Sequence, residues 1–164
     1  MPRYYTVTWD QLHRDAKALA WRLVGKGPDA GGFKGIVAIT RGGLIPAAIV
    51  ARELDCRLIE SVSVVTYEEE EIGQPKVVKP PVAAGDGTGW LVLDDLVDTG
   101  TTARVVRGIL PGAHFATVYA KPAGRALVDS FITEVSQDTW ILFPWDTEPQ
   151  FVAPIIRTAG AGGG

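Results

Sequence analysis

Cysteine and histidine are nearly absent from this sequence. Its 164 residues include one cysteine, Cys56, and two histidines that do not have the spacing of metal ligands. Because a disulfide needs two cysteines, none can form within the chain, and so little cysteine is typical of proteins from a reducing compartment. The sequence therefore predicts a cytoplasmic protein that is not held together by disulfide bonds.

Long apolar runs and a surplus of positive charge are also missing. The longest apolar run, Leu44 to Ala51, is far shorter than the roughly 20 residues that cross a membrane. Met1 to Asp10 contains no apolar stretch of signal-peptide length. The formal net charge is -3, whereas a protein that coats nucleic acid needs a basic face. We therefore expect no nucleic-acid partner, and we expect any phosphate binding to be local.

Length and composition fit one folded domain. Hydrophobic residues make up 46% and charged residues 21% of the sequence, which is ordinary for a globular protein and unlike a disordered one. A chain of 164 residues is long enough to bury a sizeable core but short for two domains. The sequence therefore predicts a single domain over residues 1–158, followed by a flexible, glycine-rich tail at 159–164.

Short apolar runs that are typical of buried strands alternate with segments that have a helical apolar stripe. Strands are predicted at Tyr4–Val7, Gly35–Ile39, Arg57–Val65, Trp90–Leu93 and His114–Ala120. Helices are predicted after a capping box at Thr8 and Gln11, with the stripe Leu12, Ala16, Leu19 and Leu23, then from Leu44 to about Leu54 and from Thr101 to Leu110. This alternation predicts an α/β fold with a mostly parallel sheet flanked by helices. Such sheets bind ligands at the carboxyl ends of their strands.

The segment from Tyr67 to Gly89 has no clear apolar period. Loops of this length inside a compact domain are usually functional or mobile. We therefore predict a mobile loop over residues 67–89 that acts as a lid. The acidic run Glu68 to Glu71 within it is interpreted as a solvated face of the lid and not as a second metal site.

The segment from Leu91 to Thr102 carries the clearest chemical signal. An apolar strand is followed by Asp94 and Asp95, then by Asp98 and a Thr-Gly turn at the start of a helix. The first turn of a helix has unpaired N–H groups and the positive end of the helix dipole, which together favour a phosphate. Adjacent carboxylates point in different directions, so one can hold sugar hydroxyls while the other orients a hard cation such as Mg²⁺.

Other interpretations of this segment fit less well. It lacks the lysine that nucleotide triphosphatases place at the helix start, and the chain has no Gly-x-Gly-x-x-Gly fingerprint for dinucleotides. If the three carboxylates only capped a helix, they would repel one another with no ligand or metal to compensate. We therefore favour a binding site for a phosphorylated sugar.

The same segment resembles the phosphoribosyl-pyrophosphate motif of type I phosphoribosyltransferases, in which two acidic residues are followed by Asp-Thr-Gly and a threonine. Three further segments look like the bacterial xanthine-guanine members of that family: Thr40 to Gly43, Tyr119 to Arg125 and Gln137 to Ile141. The resemblance runs from Tyr5 to about Ile155. It implies the Rossmann-like fold of that family, with a small hood and a mobile lid loop.

The resemblance also implies how the sugar phosphate is bound. Arg41 and Gly42 would contact the pyrophosphate, through a peptide that is often cis in this family. Asp94 and Asp95 would bind the ribose hydroxyls, with Asp95 on the Mg²⁺ side as the metal ligand. Binding of phosphoribosyl pyrophosphate and its 5′-phosphate is implied for Arg41, Gly42, Asp94, Asp95, Leu96, Val97, Asp98, Thr99, Gly100, Thr101 and Thr102.

The purine base is implied to meet a second set of residues. Asp98 would face N7 of the base as the catalytic group, and Lys121 would meet its O6. Trp140 would stack on the ring, while main-chain groups of Trp140, Ile141 and Leu142 would read the other edge. The expected reaction joins a 6-oxopurine, guanine or xanthine, to the ribose of phosphoribosyl pyrophosphate. Family members are often tetramers, and some associate peripherally with the inner face of the bacterial membrane.

Several alternatives stay open at this point. One is a regulatory protein of the same fold that senses phosphoribosyl pyrophosphate without catalysis, and another is an enzyme of the family that acts on adenine or orotate. An aspartate-dependent phosphatase has no evident use for the Asp-Thr-Gly turn. The family commonly has an arginine in its mobile loop, but the aligned stretch Ile72 to Lys76 has none, so Lys76 is the expected substitute as a point charge.

Overall fold

A computed structural model describes residues 3–28, 32–66, 74–146 and 153–159 of the chain. The strands are β1 (Arg3–Thr6), β2 (Gly35–Thr40), β3 (Ile59–Thr66), β4 (Pro75–Lys79), β5 (Trp90–Val97), β6 (His114–Ala120), β7 (Thr133–Glu134) and β8 (Thr139–Leu142). The helices are α1 (Trp9–Leu23), α2 (Leu44–Glu53), α3 (Thr101–Ile109), α4 (Pro122–Arg125) and α5 (Ile155–Ala159), with a 3₁₀ turn at Val82–Ala84.

The chain divides into two compact units. The larger unit runs from His13 to Gln137, and the smaller one combines Met1–Leu12 with Asp138–Gly164. That residues 1–158 act as one domain stays a prediction.

The larger unit is built on a six-stranded sheet in the order β4-β3-β2-β5-β6-β7. All neighbouring strands in it are parallel except β3 and β4. Strand β2 lies in the middle, and the side chains of Ile36, Val37, Ala38 and Ile39 are at most 3% exposed. Because successive side chains of a strand point to opposite faces, this sheet is covered on both faces. The predicted α/β fold with a mostly parallel sheet is confirmed.

Helix α1 forms as its apolar spacing predicts. The N–H of Gln11 donates to Thr8 Oγ1 over 3.1 Å, which satisfies one of the free donors at the helix start. The predicted stripe of Leu12, Ala16, Leu19 and Leu23 is at most 1% exposed. On the same helix Asp15 accepts a hydrogen bond of 2.5 Å from the buried Tyr119 hydroxyl of β6.

Two predicted element boundaries are wrong. Strand β5 does not end at Leu93 but continues to Val97, because Asp94, Leu96 and Val97 remain paired with β6. The predicted loop over residues 67–89 contains strand β4, which pairs antiparallel with β3 and places Val77 opposite Val64. The apolar part of β4 is only two valines long and is flanked by lysines and prolines, so it does not show the apolar pattern of a strand. Residues 67–73, with the acidic run Glu68 to Glu71, lie outside the described ranges.

The smaller unit contains a separate sheet of two parallel strands, β1 and β8. The predicted strand near Tyr4 is therefore found, but its partner comes from the far end of the chain. Trp145 stacks on Phe143 with ring centroids 4.9 Å apart and lies 6.1 Å from Trp9. Most of the predicted tail, residues 160–164, lies outside the described ranges. None of the helices in the described part of the chain is long and apolar enough to cross a membrane.

Candidate active site

A pocket of about 160 Å³ lies at the carboxyl end of β5. It is lined by Phe115 and by the continuous segment from Asp94 to Ala103, so the segment singled out in the sequence forms its wall. Gly100 immediately precedes α3 with φ 93°, a conformation that favours glycine. A Cβ at this position would collide with the Leu127 side chain. The turn thus presents the first N–H groups of α3 with no side chain at its tightest point.

The loop that follows β2 meets the loop that follows β5. The peptide between Thr40 and Arg41 is cis, in the segment for which the family resemblance implies such a bond. A Cβ on Gly42 would overlap the Asp95 carboxylate. Only glycine therefore allows this approach, which brings the expected pyrophosphate-binding segment next to the expected Mg²⁺ ligand.

Asp94 and Asp95 form a mutually repelling acidic pair in the ligand-free protein. The Asp94 carboxylate accepts a hydrogen bond of 2.8 Å from the Asp95 N–H. Burial, together with the negative charge of Asp95, nevertheless raises the pKa of the Asp94 carboxyl well above its usual value near 3.8. The fold therefore disfavours two charges side by side here, and a ligand that brings hydroxyl donors or a cation would relieve that cost.

The donor set at this position fits Mg²⁺. In proteins this cation is usually held by one or two carboxylates, with substrate phosphates and water completing its octahedral shell. Within residues 3–28, 32–66, 74–146 and 153–159 no group of three or more His, Cys, Asp or Glu side chains could hold a metal ion. That Asp95 is the ligand of a Mg²⁺ ion stays a prediction.

Asp98 and Lys121 form an ion pair beside the pocket. Lys121 Nζ lies 3.1 Å from Asp98 Oδ2, and the side chains are 6% and 49% exposed. Lys121 directly follows β6, and its N–H donates to the Val97 carbonyl over 2.9 Å. The ammonium is thus fixed at a strand end, while the carboxylate remains open to solvent and to a ligand. The structure brings together two of the groups for which the family resemblance implies contact with the base.

Gln137 also contacts Asp98, a role that the sequence did not indicate. Its Nε2 donates to Asp98 Oδ1 over 2.7 Å, and its Oε1 accepts from the Ala123 N–H over 2.9 Å. Asp98 therefore has a donor on each of its two oxygens. The only signal for Gln137 was its place in the segment Gln137 to Ile141, which resembles the family but was given a role only from Trp140 onward.

The remaining predicted base contacts belong to the smaller unit. Trp140 lies on β8 with 58% of its surface exposed, whereas Ile141 and Leu142 are buried. In the parallel pairing with β1, Trp140 is opposite Tyr4 and Ile141 is opposite Tyr5. The Leu142 carbonyl already accepts a hydrogen bond from the Val7 N–H. Stacking of Trp140 on the base, and main-chain contacts from these three residues, stay predictions.

Lys76, the expected substitute for the arginine of the family's mobile loop, lies in the described part of the predicted lid. This side chain is exposed on β4, and the chain therefore presents a cation at the carboxyl side of the segment in which the family commonly has an arginine. Ile72 and Gly73 lie outside the described residues. That Lys76 replaces the arginine stays a prediction.

Comparisons with known proteins agree with this geometry. A model of the phosphoribosyl transferase domain matches residues 8–151. The chain is 65% identical over 159 residues to a xanthine-guanine phosphoribosyltransferase of Gluconobacter oxydans, covering 96% of this chain and 93% of that one. A protein of the same name from Nitratidesulfovibrio vulgaris is 63% identical over 156 residues, covering 94% and 92%.

A solved structure gives the same answer. The purine phosphoribosyltransferase of Pyrococcus horikoshii superposes with a TM-score of 0.74 and 29% identity, covering 92% of this chain and 99% of that one. These three relatives are all named as transferases, which supports an enzyme and gives no support to a sensor without catalysis. The chain therefore belongs to the type I phosphoribosyltransferase family and, within it, is similar to the bacterial xanthine-guanine enzymes.

Proposed function

We propose that this enzyme transfers the 5-phosphoribosyl group from phosphoribosyl pyrophosphate to N9 of guanine or xanthine. The products are GMP or XMP and pyrophosphate, and hypoxanthine is used less well. Support comes from the family, from the names of its relatives and from the residues at the carboxyl end of the sheet. In the cell this reaction salvages free purine bases.

The observation that carries the choice of base is the ion pair between Asp98 and Lys121. An ammonium offers three donors and no acceptor, so it suits the O6 acceptor of a 6-oxopurine and opposes the amino group of adenine. The exposed carboxylate next to it can accept the proton that such a base carries on N7. Together the two groups match the O6 and N7 edge of guanine, xanthine or hypoxanthine.

The reaction makes one bond and breaks one. N9 of the base forms a bond to C1 of the ribose, while the bond between C1 and the pyrophosphate oxygen breaks and its electron pair leaves with pyrophosphate. The N7 proton passes to Asp98. Positive charge grows on the sugar during this exchange, and the carboxylates of Asp94 and Asp95 would stabilise it beneath the ring.

Other groups of the chain would manage the leaving group and exclude water. Arg41 and the backbone of Gly42 would bind the pyrophosphate, and the turn from Asp98 to Thr102 would hold the 5′-phosphate through its N–H groups. Mg²⁺, when bound at Asp95, would neutralise charge on the leaving pyrophosphate. Closure of the lid would keep water from the reactive sugar.

The proposal is tested by incubating the purified enzyme with phosphoribosyl pyrophosphate, guanine and Mg²⁺ and detecting the nucleotide by mass spectrometry. We expect GMP, released with an equal amount of pyrophosphate, and no product in excess chelator. Restoring Mg²⁺ should restore turnover. Nucleotide formation that is unaffected by chelator would contradict the metal requirement, and the absence of nucleotide with every 6-oxopurine would contradict the function.

We further propose a cytoplasmic homo-oligomer, a tetramer as is common in the family, with peripheral association at the inner face of the cell membrane. The family resemblance is the support for both. Light scattering on the purified protein checks the first, through a mass four times that of one chain. Co-sedimentation with lipid vesicles checks the second.

A further inference from the structure

We propose that Gln137 is a positioning residue that holds the Asp98 carboxylate in place for proton transfer from the base. This inference rests on the proposed function and deepens it, because it concerns the group that would receive the N7 proton. Gln137 touches no reacting atom in this account. It acts through Asp98.

The orientation of the Gln137 amide is fixed by its two partners. The Ala123 N–H can only donate, so the atom that faces it must be the amide oxygen Oε1. The NH₂ group then faces Asp98 Oδ1, and an ionised carboxylate can only accept. Turning the amide over would lose both hydrogen bonds at once. The side chain therefore connects the backbone of α4 to one chosen oxygen of Asp98.

The backbone before Gln137 is itself anchored to the sheet. Thr133 and Glu134 pair with the end of β6, and the N–H of the buried Val135 donates to the Ala120 carbonyl over 3.0 Å. Gln137 follows two residues later. The hydrogen bond from its amide therefore ties the half-exposed Asp98 carboxylate to a part of the backbone that is fixed at the edge of the sheet.

Asp98 needs a second hydrogen-bond donor because Lys121, the first donor, is also proposed to contact the base. In the ligand-free protein Lys121 donates to Oδ2 of Asp98, but the proposed reaction also turns this ammonium toward O6 of the base. A carboxylate that shares its lysine with the substrate can rotate. Gln137 holds Oδ1 throughout, so that Oδ2 stays aimed at the base, and misplacement of about 1 Å in such a group can cost on the order of 10²-fold in rate.

Two variants of Gln137 separate this role from simple support of α4. Gln137→Glu keeps the oxygen that accepts from Ala123 but replaces the donor to Asp98 with a second negative charge. Gln137→Met keeps most of the length and loses both hydrogen bonds. If Gln137 positions Asp98, the glutamate variant is at least as damaged as the methionine variant. If it only supports α4, the methionine variant, which loses the hydrogen bond to the Ala123 N–H, is the more damaged of the two.

The experiment measures single-turnover GMP formation and, separately, the Kd for phosphoribosyl pyrophosphate. We expect Gln137→Glu to lower the rate constant by about 10–100-fold, which is no more than the loss expected when the Asp98 carboxylate is removed. The Kd for phosphoribosyl pyrophosphate should stay within about twofold of the parent value. Gln11→Glu is the matched control, because it adds the same negative charge away from Asp98. Gln11 Nε2 donates to the Tyr5 hydroxyl over 2.9 Å, and this hydroxyl can instead donate to the new carboxylate. We expect this control variant to keep the parent rate.

A double variant tests whether the effect passes through Asp98. In an Asp98→Asn background, the carboxylate that Gln137→Glu introduces would face an amide that can donate to it, so adding this substitution should change the residual rate by less than about twofold. Turnover of guanine by the parent tests the proposed function, whereas the order of the variants tests this inference. A rate constant for Gln137→Glu within about twofold of the parent would overturn the inference. So would a loss on adding Gln137→Glu to Asp98→Asn that equals its loss in the parent.

Discussion

Glu60 and Asp94 are carboxylates on the two strands that flank β2, and the fold treats them in opposite ways. Glu60 on β3 accepts hydrogen bonds from Lys79 Nζ, from the Ser61 N–H over 2.8 Å and from the Ala83 N–H over 3.1 Å. These donors, with Lys79 first, lower the pKa of Glu60 from 4.5 to about 2. Burial and Asp95 instead raise the pKa of Asp94.

The difference separates a carboxylate whose charge the fold satisfies from one for which we propose a role in substrate binding. Glu60 joins β3 to the end of β4 and to the 3₁₀ turn, so its charge is satisfied within the fold. Asp94 lines the pocket and lacks a cationic partner among the groups that determine its pKa. Sites that leave a charge unsatisfied in this way gain their complement from a ligand, at a cost in stability that the rest of the fold offsets.

The largest effect should come from Asp98, the open carboxylate of the site. Replacement by asparagine keeps the shape and the hydrogen bonding to Lys121 but removes the carboxylate that we propose as the acceptor of the N7 proton. We expect single-turnover GMP formation to fall by about 10²–10⁴-fold, with binding of phosphoribosyl pyrophosphate nearly intact. An unchanged rate, measured when chemistry and not product release limits turnover, would show that Asp98 does not act as the base.

Lys121 comes next, because it should determine selectivity for the 6-oxo group. Lys121→Met keeps most of the apolar stem and supplies no donor, so the specificity constants for guanine and xanthine should both fall by about 10–150-fold, as for one lost charge-assisted hydrogen bond. The specificity constant for adenine should fall less, because the variant no longer places a donor against the adenine amino group. The guanine-to-adenine ratio is the measurement, and a ratio within about twofold of the parent in a folded variant would remove Lys121 from the base site.

Asp94→Asn should separate function from stability. We expect weaker binding of phosphoribosyl pyrophosphate, by about tenfold or more, and a higher Tm for the ligand-free protein. A carboxyl whose folded pKa is raised contributes stability below its unfolded pKa and loses it as pH rises through the folded pKa. The gain in Tm should therefore be absent near pH 3, grow toward neutral pH, and amount to about 2–4 °C for each kcal/mol.

Glu60→Gln should give the opposite pH dependence and the smallest effect on activity. A carboxyl with a lowered folded pKa contributes stability above its unfolded pKa, near 4.5, and loses it as pH falls toward about 2. The variant should thus melt below the parent at neutral pH, with a difference that shrinks below pH 4.5, while turnover stays within about twofold. Glu53→Gln, which removes only the exposed pair with Arg52, is the control and should melt like the parent.

Local sequence patterns were enough to predict the layers of the fold and the turn between β5 and α3 that lines the pocket. Strands such as β2 and β6 are short, continuous apolar runs, and the helix after Thr8 has both a capping box and a regular stripe. The Asp94 to Thr102 segment carries its chemistry in consecutive residues. In each case the information lies within one turn or one strand, which is the range over which periodicity and capping act.

Contacts between distant residues could not be predicted in the same way. Gln137 meets Asp98 across 39 positions, and Lys79 meets Glu60 across 19. The pairing of β1 with β8 joins Arg3–Thr6 to Thr139–Leu142. Each of these contacts depends on how distant elements align with one another, which local patterns do not show. The strand β5 was predicted to end at Leu93 for the same reason, because the pairing of Asp94 to Val97 with β6 is not visible in their own residues.

We propose that the Asp94 to Thr102 segment and the Asp98–Lys121 pair act together in the transfer of phosphoribose to 6-oxopurines. The most direct measurement is a competition assay in which the enzyme receives phosphoribosyl pyrophosphate, Mg²⁺ and equal concentrations of guanine, xanthine, hypoxanthine, adenine and orotate. Mass spectrometry of the early products gives the relative specificity constants. We expect GMP and XMP as the main products, IMP as a minor one, and no appreciable AMP or orotidine monophosphate. Dominant AMP or orotidine monophosphate would contradict it.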